Sequence, residues 1–347
     1  MKDLKVAVIG AAGAVGRKVV EVLEERNFPV GELRLFATRR SAGQKIPFRG
    51  EKIPVEETRP EELEGFQLAF LAVGAEVSRE LGPLLASRGT VVIDKSSAFR
   101  LEPEIPLVVP EVNGEELRHH RGIVASPNCS TIQMVMVLEP LRRVAGIRRV
   151  VVSTYQSVSG TGEAAVGELE EQVRGFVRGE RPEPRVYPRP IAFNLLPHID
   201  SFGELGYTGE EWKLVRETRK IMGIPDLPVS ATAVRVPVFW AHSEAVSVEL
   251  ERPLSPEEAR ATLSSFPGVR VVDDPEKGLY PTPLEAAGRD EVFVGRIRES
   301  LAFSPGLEMW VVADNLRKGA ATNAVQIAET LLREGLLEPL VRAGGKI

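Results

Sequence analysis

Residues 6–16 read Val-Ala-Val-Ile-Gly-Ala-Ala-Gly-Ala-Val-Gly, and they join an apolar run directly to an amphipathic one. The run Val6–Ile9 predicts a buried strand, whereas Val15–Glu25 carries valine and leucine on one helical face. Glycines in the connecting loop permit a tight turn and a close backbone approach, so a pyrophosphate could bind at the helix N-terminus. The spacing is G-x-x-G-x-x-G rather than G-x-G-x-x-G, and only the strand–loop–helix context makes it informative. A structural turn without a ligand is the alternative.

The first third of the chain continues this alternation of short apolar runs and helical patterns. The predicted strands are Val6–Ile9, Leu33–Phe36, Leu68–Val73, Val91–Ile93 and Ile123–Ala125. Uninterrupted apolar strands are typical of a parallel sheet that is covered on both faces. The fold class predicted here is α/β, with an N-terminal Rossmann-type doubly wound parallel sheet.

After about Val150 the strands lengthen and few helices are expected between them. The strand-like runs are Val150–Tyr155, Val229–Val236, Glu244–Leu250, Val269–Val272, Val292–Arg298 and Leu307–Ala313. Gly179–Pro197 is rich in glycine and proline and is expected to form neither helix nor strand. This pattern predicts a second, α+β domain with a mixed sheet. Gly319–Leu332 has helical spacing and is expected to pack back on the first domain.

Length and composition exclude several classes of protein. A chain of 347 residues exceeds the size of most single cores, so two domains are expected. With 44 Lys+Arg against 49 Asp+Glu, the charge gives no indication of binding to nucleic acid or a membrane. No apolar run approaches the ~18 residues of a membrane span, and the start lacks the features of a signal peptide. We therefore expect a cytoplasmic protein.

The end of the second predicted strand bears on the choice of dinucleotide. Thr38, Arg39, Arg40 and Ser41 follow that strand, and the stretch has no acidic residue. NAD sites usually carry a carboxylate here for the ribose hydroxyl, whereas arginine accommodates a 2′-phosphate. This favours NADP; solvated surface arginines are the alternative.

Cys129 is the only cysteine, which excludes an intrachain disulfide and a multi-cysteine metal site, and no bound metal is expected. It follows a predicted strand and precedes the apolar run Ile132–Leu138. A helix N-terminus there would favour the thiolate. A buried, unreactive cysteine is the alternative. A nucleophilic thiol beside a nicotinamide would oxidise an aldehyde through an acyl-thioester, which water or phosphate then resolves.

The chain resembles the aspartate-semialdehyde dehydrogenase family over nearly its whole length. The stretches that carry the resemblance are Gly10–Gly16, residues 40–43, 96–100, Ser126–Thr131, residues 155–160, Glu210–Met222, residues 235–244 and residues 314–326. The resemblance implies NADP-dependent interconversion of aspartate 4-semialdehyde and 4-aspartyl phosphate. This reaction supplies diaminopimelate, lysine, threonine and methionine synthesis. The family also implies a homodimer, with residues 1–127 and 315–347 binding NADP and residues 128–314 forming the catalytic and dimerisation domain.

The resemblance assigns catalytic roles to three matching positions. Cys129 is the nucleophile, Gln156 orients the substrate near the sulfur, and His242 is the general acid–base. Among the other histidines, His119 and His120 lie in a charged stretch that is expected to be exposed. The remaining one, His198, is expected in a loop. An ordinary structural histidine and an ordinary strand-end glutamine are the alternatives for His242 and Gln156.

The resemblance also assigns substrate contacts. Arg235 binds the substrate carboxylate, Glu217 the ammonium group, and Arg100 and Lys220 the phosphate. Glu217 and Lys220 are neighbours on one helix face, so a solvated ion pair is the alternative, and Lys213 could serve equally. Arg235 and His242 would face opposite ways on one unbroken strand, so we assume a turn between them. The cofactor contacts implied are Gly10, Ala12, Gly13, Ala14, Val15, Gly16, Thr38, Arg39, Arg40, Ser41, Ser159, Gly160 and Asn315.

Two other functions are compatible with parts of this pattern. N-acetyl-glutamyl-phosphate reductase uses the same thioester chemistry, but its substrate has no free ammonium to pair with Glu217. A non-catalytic dinucleotide-binding regulator with Cys129 as an oxidant sensor predicts cofactor binding without phosphate-dependent reduction of NADP.

Overall fold

The computed structural model describes residues 4–337. These residues divide into two compact units, one of residues 4–127 with 320–337 and one of residues 128–319. The second unit ends at residue 319, whereas the sequence predicted a boundary between residues 314 and 315. The side chain of Asp314 accepts the backbone N–H groups of Leu316 and Arg317, and its carbonyl accepts that of Gly319. These bonds keep residues 315–319 with the second unit.

The described residues form the following elements. The strands are β1 (Leu4–Ile9), β2 (Val30–Ala37), β3 (Lys45–Phe48), β4 (Glu51–Glu57), β5 (Leu68–Leu71), β6 (Val91–Asp94), β7 (Ile123–Ala125), β8 (Ile147–Gln156), β9 (Val229–Arg235), β10 (His242–Leu250), β11 (Val269–Val271), β12 (Val292–Glu299) and β13 (Gly306–Ala313). The α-helices are α1 (Ala14–Glu25), α2 (Ala75–Ser87), α3 (Pro110–Asn113), α4 (Cys129–Ala145), α5 (Glu163–Val177), α6 (Gly209–Met222), α7 (Pro256–Ser264), α8 (Pro283–Ala286) and α9 (Thr322–Arg333). None of these helices is long and apolar enough to cross a membrane.

The first unit contains a seven-stranded sheet in the order β3-β4-β2-β1-β5-β6-β7. All neighbours pair in parallel except β3 and β4, so the predicted doubly wound parallel sheet is confirmed. The chain runs outward from β1 in both directions, through β2 on one side and β5 on the other. This reversal makes the carboxyl end of β1 the switch point of the sheet, where ligands of such folds bind.

Helices α1 and α9 pack against each other on the first unit. Their buried faces contribute Val19 and Leu23 from α1 and Ala324, Ile327 and Leu331 from α9 to one core. The C-terminal helix predicted from its spacing is thus present, although a π-helical turn, Arg317–Ala321, precedes it.

The second unit contains a six-stranded mixed sheet in the order β11-β12-β13-β10-β8-β9. Its outer pairs, β11 with β12 and β8 with β9, are parallel, and the inner pairs are antiparallel. The sheet is therefore mixed, as predicted. Helix α4 packs on β8, β10 and β13. The unit has more helix than expected, because α5 and α7 were not recognised. Gly179–Pro197 forms no helix or strand, as expected.

The glycine loop offers a test of packing with a matched control. An alanine Cβ at Gly16 would lie 2.2 Å from the Gly10 carbonyl oxygen and 2.7 Å from the Ala11 Cα, whereas at Gly13 the nearest atom is 3.5 Å away. We expect Gly16→Ala to lower the free energy of unfolding by about 3 kcal/mol. Gly13→Ala should cost less than about 1 kcal/mol. Urea unfolding measures both; equal losses would contradict the close approach at Gly16.

Candidate active site

The glycine loop borders a cavity of about 600 Å³ at the carboxyl ends of β1, β2 and β5. Gly10 has a φ of +86°, and a Cβ there would lie 2.3 Å from the Ala72 carbonyl oxygen, so residue 10 must be glycine. Gly13 lines the cavity and is the N-cap residue of α1, so no side chain bonds the first N–H groups of this helix. The first turn, which includes Ala14 and Val15, has no acidic residue. The N–H groups of this turn are thus suited to an anion such as a pyrophosphate.

The turn after β2 borders the same cavity and carries two arginines. Thr38 and Ser41 line it, and the short 3₁₀ helix Arg39–Ser41 lies between them. Arg39 and Arg40 are exposed, and neither forms an ion pair within residues 4–337. This placement is compatible with both interpretations of the two arginines, a contact with a phosphorylated ribose and simple solvation.

Arg100 lies in the first unit and is nearly buried. Its Nε donates to the Ser126 carbonyl oxygen at 3.1 Å, and its Nη2 donates to that of Lys95 at 2.8 Å. Lys220, which was predicted to share the phosphate with it, lies on α6 of the second unit. Whether the two meet at one phosphate stays a prediction.

Cys129 is the first residue of α4, as predicted, and is only partly buried. Asn128 caps the helix, because its Oδ1 accepts the N–H groups of Ser130 at 3.0 Å and Thr131 at 3.3 Å. A Cβ at Gly319 would lie 2.9 Å from the Cys129 Cβ, so only glycine fits beside the cysteine there. The position of this partly buried residue at the helix N-terminus favours the thiolate form of its side chain.

Two carboxylates of α6 hold Asn128 from the other side. The Asn128 backbone N–H donates to Glu217 Oε2 at 2.7 Å, and its Nδ2 donates to Glu210 Oε1 at 2.9 Å. Lys213, the alternative to Lys220, bonds Glu210 and Asp200. Burial alone would raise the pKa of Glu210, but Lys213 and the amide donors outweigh it and hold that pKa below its usual value.

Gln156 ends β8 and is nearly buried. Its Nε2 lies 3.1 Å from Glu210 Oε1 and 3.4 Å from Thr154 Oγ1. Glu210 therefore connects Gln156 with Asn128, the residue before the cysteine. Sequence reasoning missed this role, because a glutamate in the first turn of a helix is a common dipole partner.

The assumed turn between Arg235 and His242 is present. β9 ends at Arg235 and β10 begins at His242, with β8 between these strands in the sheet. A Cβ at Gly160 would lie 3.0 Å from Arg235 Nη1 and 3.1 Å from His242 Nε2, so both side chains converge on this glycine. Two residues that an unbroken strand would separate are thus brought together.

His242 is fully buried, and its Nδ1 accepts the backbone N–H of Ser157 at 3.0 Å. Burial, and then the nearby Arg235 charge, hold the pKa of His242 well below its usual value. The neutral ring must carry its proton on Nε2, since Nδ1 is an acceptor. His242 Nε2 and Arg235 Nε have no hydrogen-bond partner among the described residues. Two buried donors are therefore available to a negatively charged or carbonyl oxygen.

Asn315 organises the turn that follows β8. Its Oδ1 accepts Ser157 Oγ, Ser159 Oγ and the Ala241 backbone N–H, each at 3.1 Å. The oxygen is fully used by the protein, so Nδ2 is the atom that Asn315 can offer to a ligand.

The other histidines lie elsewhere, and one expectation about them is wrong. His119 is exposed, but His120 is buried, with Nε2 2.8 Å from the Leu336 carbonyl oxygen and Nδ1 accepting the Gly122 N–H. The charged residues around His120 are exposed, as expected, but His120 itself is buried. His198 lies in a loop and stacks on Phe202.

Comparisons with known proteins identify the family of this chain. Family models described as "Semialdehyde dehydrogenase, NAD binding domain" and "Semialdehyde dehydrogenase, dimerisation domain" match residues 5–120 and 138–318. The aspartate-semialdehyde dehydrogenase of Aquifex aeolicus is 55% identical over 96% of this chain and 99% of its own. That of Bacillus subtilis is 48% identical, over 97% and 99%.

The solved structures that this chain resembles belong to the same family. Aspartate semialdehyde dehydrogenase II of Vibrio cholerae, complexed with ASA, is 45% identical, with a TM-score of 0.93 over 96% of this chain and 99% of its own. The Candida albicans enzyme with NADP is 27% identical, with a TM-score of 0.75 over 96% and 100%.

The buried neutral His242 should make stability depend on pH. The unfolded chain binds a proton near pH 6.5, whereas the folded protein does not, so stability is full above this pH and falls below it. Between pH 8 and 5.5 the wild type should lose about 1.4 kcal/mol more than His242→Asn, whose amide oxygen can still accept from Ser157. Urea unfolding at both pH values measures this difference; equal losses would mean that His242 is charged in the folded state.

Proposed function

The chain belongs to the aspartate-semialdehyde dehydrogenase family, and from that premise we propose that it reduces L-4-aspartyl phosphate to L-aspartate 4-semialdehyde with NADPH, releasing phosphate. The reverse reaction is the oxidative phosphorylation of the aldehyde. The observation that carries the proposal is the partly accessible Cys129 at the N-terminus of α4. The proposed reaction serves lysine, threonine, methionine and diaminopimelate synthesis, and the cytoplasmic location stays a prediction from the sequence.

In the reductive direction, the Cys129 thiolate adds to the carbonyl carbon of the acyl phosphate. The bond from that carbon to the phosphate oxygen breaks, and an acyl-thioester remains on Sγ. A nicotinamide held by the cofactor residues would supply hydride to the thioester carbon in this direction and accept hydride in the other. The carbon–sulfur bond of the reduced adduct then breaks, which releases the aldehyde and restores the thiolate.

His242 is the proposed general acid–base. In the neutral ring, the Nε2–H group donates a hydrogen bond to the oxygen of the tetrahedral adduct and stabilises its negative charge until the adduct collapses. The fixed bond from Ser157 to Nδ1 supports this role, because it directs the proton to Nε2 in the neutral ring.

The substrate groups are assigned by charge. Arg235, with one guanidinium N–H on the Ser157 carbonyl and Nε available, is proposed to bind the carboxylate. The buried carboxylate of Glu217 receives the ammonium group, and Arg100 and Lys220 bind the phosphate. Gln156 orients the reacting carbonyl near Cys129.

The cofactor proposed is NADP. Residues 10–16 would hold the pyrophosphate, Thr38–Ser41 with both arginines the 2′-phosphate, and Ser159, Gly160 and Asn315 the nicotinamide end. The NADP in the Candida albicans structure supports this choice. The match of residues 138–318 to a dimerisation domain supports a homodimer formed by the second unit.

Cys129→Ser tests the thioester step. A hydroxyl has almost no ionised form at neutral pH, so we expect turnover to fall roughly a thousandfold or more. NADP binding and the unfolding midpoint should stay close to those of the wild type. The assay follows NADPH formation from aspartate semialdehyde with and without phosphate. Near-normal turnover by the variant would refute the thioester, and wild-type activity only on acetylglutamyl phosphate would refute the substrate.

The double substitution Arg39→Ala with Arg40→Ala tests the dinucleotide choice. Loss of a charged hydrogen bond to the 2′-phosphate should raise the Kd for NADP roughly tenfold or more. The Kd for NAD, which lacks this phosphate, should change less than about twofold. Arg121→Ala is the matched control, since this exposed arginine precedes β7 at the opposite edge of the parallel sheet. Equal losses for both dinucleotides would mean that neither arginine contacts the 2′-phosphate.

A further inference from the structure

Tyr187 lies beside the guanidinium of Arg235, the proposed ligand of the substrate carboxylate. The Cζ atom of Arg235 is 6.0 Å from the centre of the tyrosine ring, at the outer limit of a cation–π contact. The Tyr187 hydroxyl donates to Thr161 Oγ1 at 3.0 Å. Thr161 follows Gly160, the glycine on which Arg235 and His242 converge. The ring is therefore attached to the turn after β8 and adjoins the arginine.

The segment that carries Tyr187 is tied to α5 at two points. Glu168 Oε2 accepts the backbone N–H groups of the two residues that precede the tyrosine. Gln172 Oε1 accepts those of Ile191 at 2.9 Å and Ala192 at 3.0 Å. Both acceptors are buried. The segment contains neither helix nor strand, and side chains of a helix fix its course instead.

The same segment pairs with the end of β9. The Leu196 N–H donates to the Arg235 carbonyl oxygen at 3.0 Å, and the Arg235 N–H donates to that of Leu196 at 2.8 Å. Arg235 therefore adjoins this segment with its backbone as well as with its side chain. The position of the tyrosine ring relative to the guanidinium is set by bonds on both sides.

The guanidinium of Arg235 is only partly used by the protein. It is 5% exposed, and its Nη1 donates to the Ser157 carbonyl oxygen at 2.7 Å. Its Nε has no hydrogen-bond partner among the described residues. A carboxylate that binds such a group pairs more strongly where water is excluded, because the local dielectric constant is then lower. An aromatic neighbour excludes water and brings no competing negative charge.

The Tyr187 hydroxyl also remains neutral in this position. Burial raises the pKa of Tyr187 above its usual value, and the nearby charge of Arg235 offsets this only in part. At neutral pH the phenol therefore keeps its proton and can continue to donate to Thr161. The side chain does not become an anion that would compete with the substrate for Arg235.

We propose that Tyr187 is a positioning residue for the substrate carboxylate: its ring holds the Arg235 guanidinium in place and keeps water away from it. This rests on the proposed function, in which Arg235 binds that carboxylate. Tyr187 then contributes to substrate binding through the carboxylate alone. It adds nothing to the affinity for the ammonium group or for phosphate.

Tyr187→Leu removes the ring, whereas Tyr187→Phe removes only the hydroxyl. Loss of a water-excluding contact with a buried cation should raise the KM for aspartate semialdehyde about tenfold in the leucine variant. The phenylalanine variant keeps the ring, and its KM should rise less than about threefold. In both variants we expect kcat and the KM for phosphate to stay within about twofold of the wild type.

Tyr207→Leu is the matched control. The hydroxyl of Tyr207 bonds Ser230 and its ring packs on Trp212, and neither of these residues is assigned to the substrate. We expect this variant to change the KM for aspartate semialdehyde less than about twofold. A KM for aspartate semialdehyde that is unchanged in Tyr187→Leu, or raised equally in Tyr207→Leu, would overturn the proposal.

Two analogues of the substrate show whether the ring acts through the carboxylate. Succinate semialdehyde keeps the carboxylate and lacks the ammonium group, whereas 3-aminopropanal keeps the ammonium group and lacks the carboxylate. As competitors of aspartate semialdehyde, the first should have its KI raised about tenfold by Tyr187→Leu and the second less than about twofold. Equal changes in the two KI values would overturn the proposal, because the substitution would then have altered the whole site.

A second variant keeps this test usable. If Tyr187→Leu does not fold, Tyr187→Met gives the same comparison, since a methionine side chain fills irregular gaps. The unfolding midpoint of each variant shows which of the two applies. Inactive wild-type protein would instead refute the proposed function.

Discussion

The hydrogen bonds around Asn128 are the constraint on which the site of the second unit depends. This one residue caps α4 through its side-chain oxygen, and its two nitrogens bind carboxylates of α6. The cap fixes where α4 begins and therefore where the sulfur of Cys129 lies. The bonds to α6 fix how that beginning faces the strand end of Gln156. A shift of one turn in either helix would separate the thiol from the groups that orient its substrate.

Much of the fold could be predicted because its strands differ so clearly from their surroundings. Runs such as Leu68–Leu71 are apolar throughout, and burial on both faces selects for that pattern. The hairpin of β3 and β4 was missed because an edge pair with Pro47, Pro54 and several charges lacks any apolar run. Helix α5 was missed because two glycines interrupt its apolar face.

The candidate site could be predicted where a residue type itself indicates chemistry. A lone cysteine after a strand is visible in the sequence, and so is a histidine seven residues beyond an arginine. The convergence of Arg235 and His242 on Gly160, however, depends on β8 lying between β9 and β10. Glu210 gave no comparable signal, since its partners are 54 and 82 residues away in the chain. His120 shows the converse error: one buried position in a charged segment is set by tertiary packing, which local composition does not report.

That Cys129 is the only cysteine and is not fully buried has a practical consequence for work on this chain. An electrophile that modifies cysteine can add only one mass increment to each molecule. The fraction of modified molecules in an intact-mass spectrum would then count competent sites directly, without any substrate. Preparations that differ in specific activity could be compared by this fraction. The comparison would distinguish a loss of active molecules from a slower turnover of every molecule.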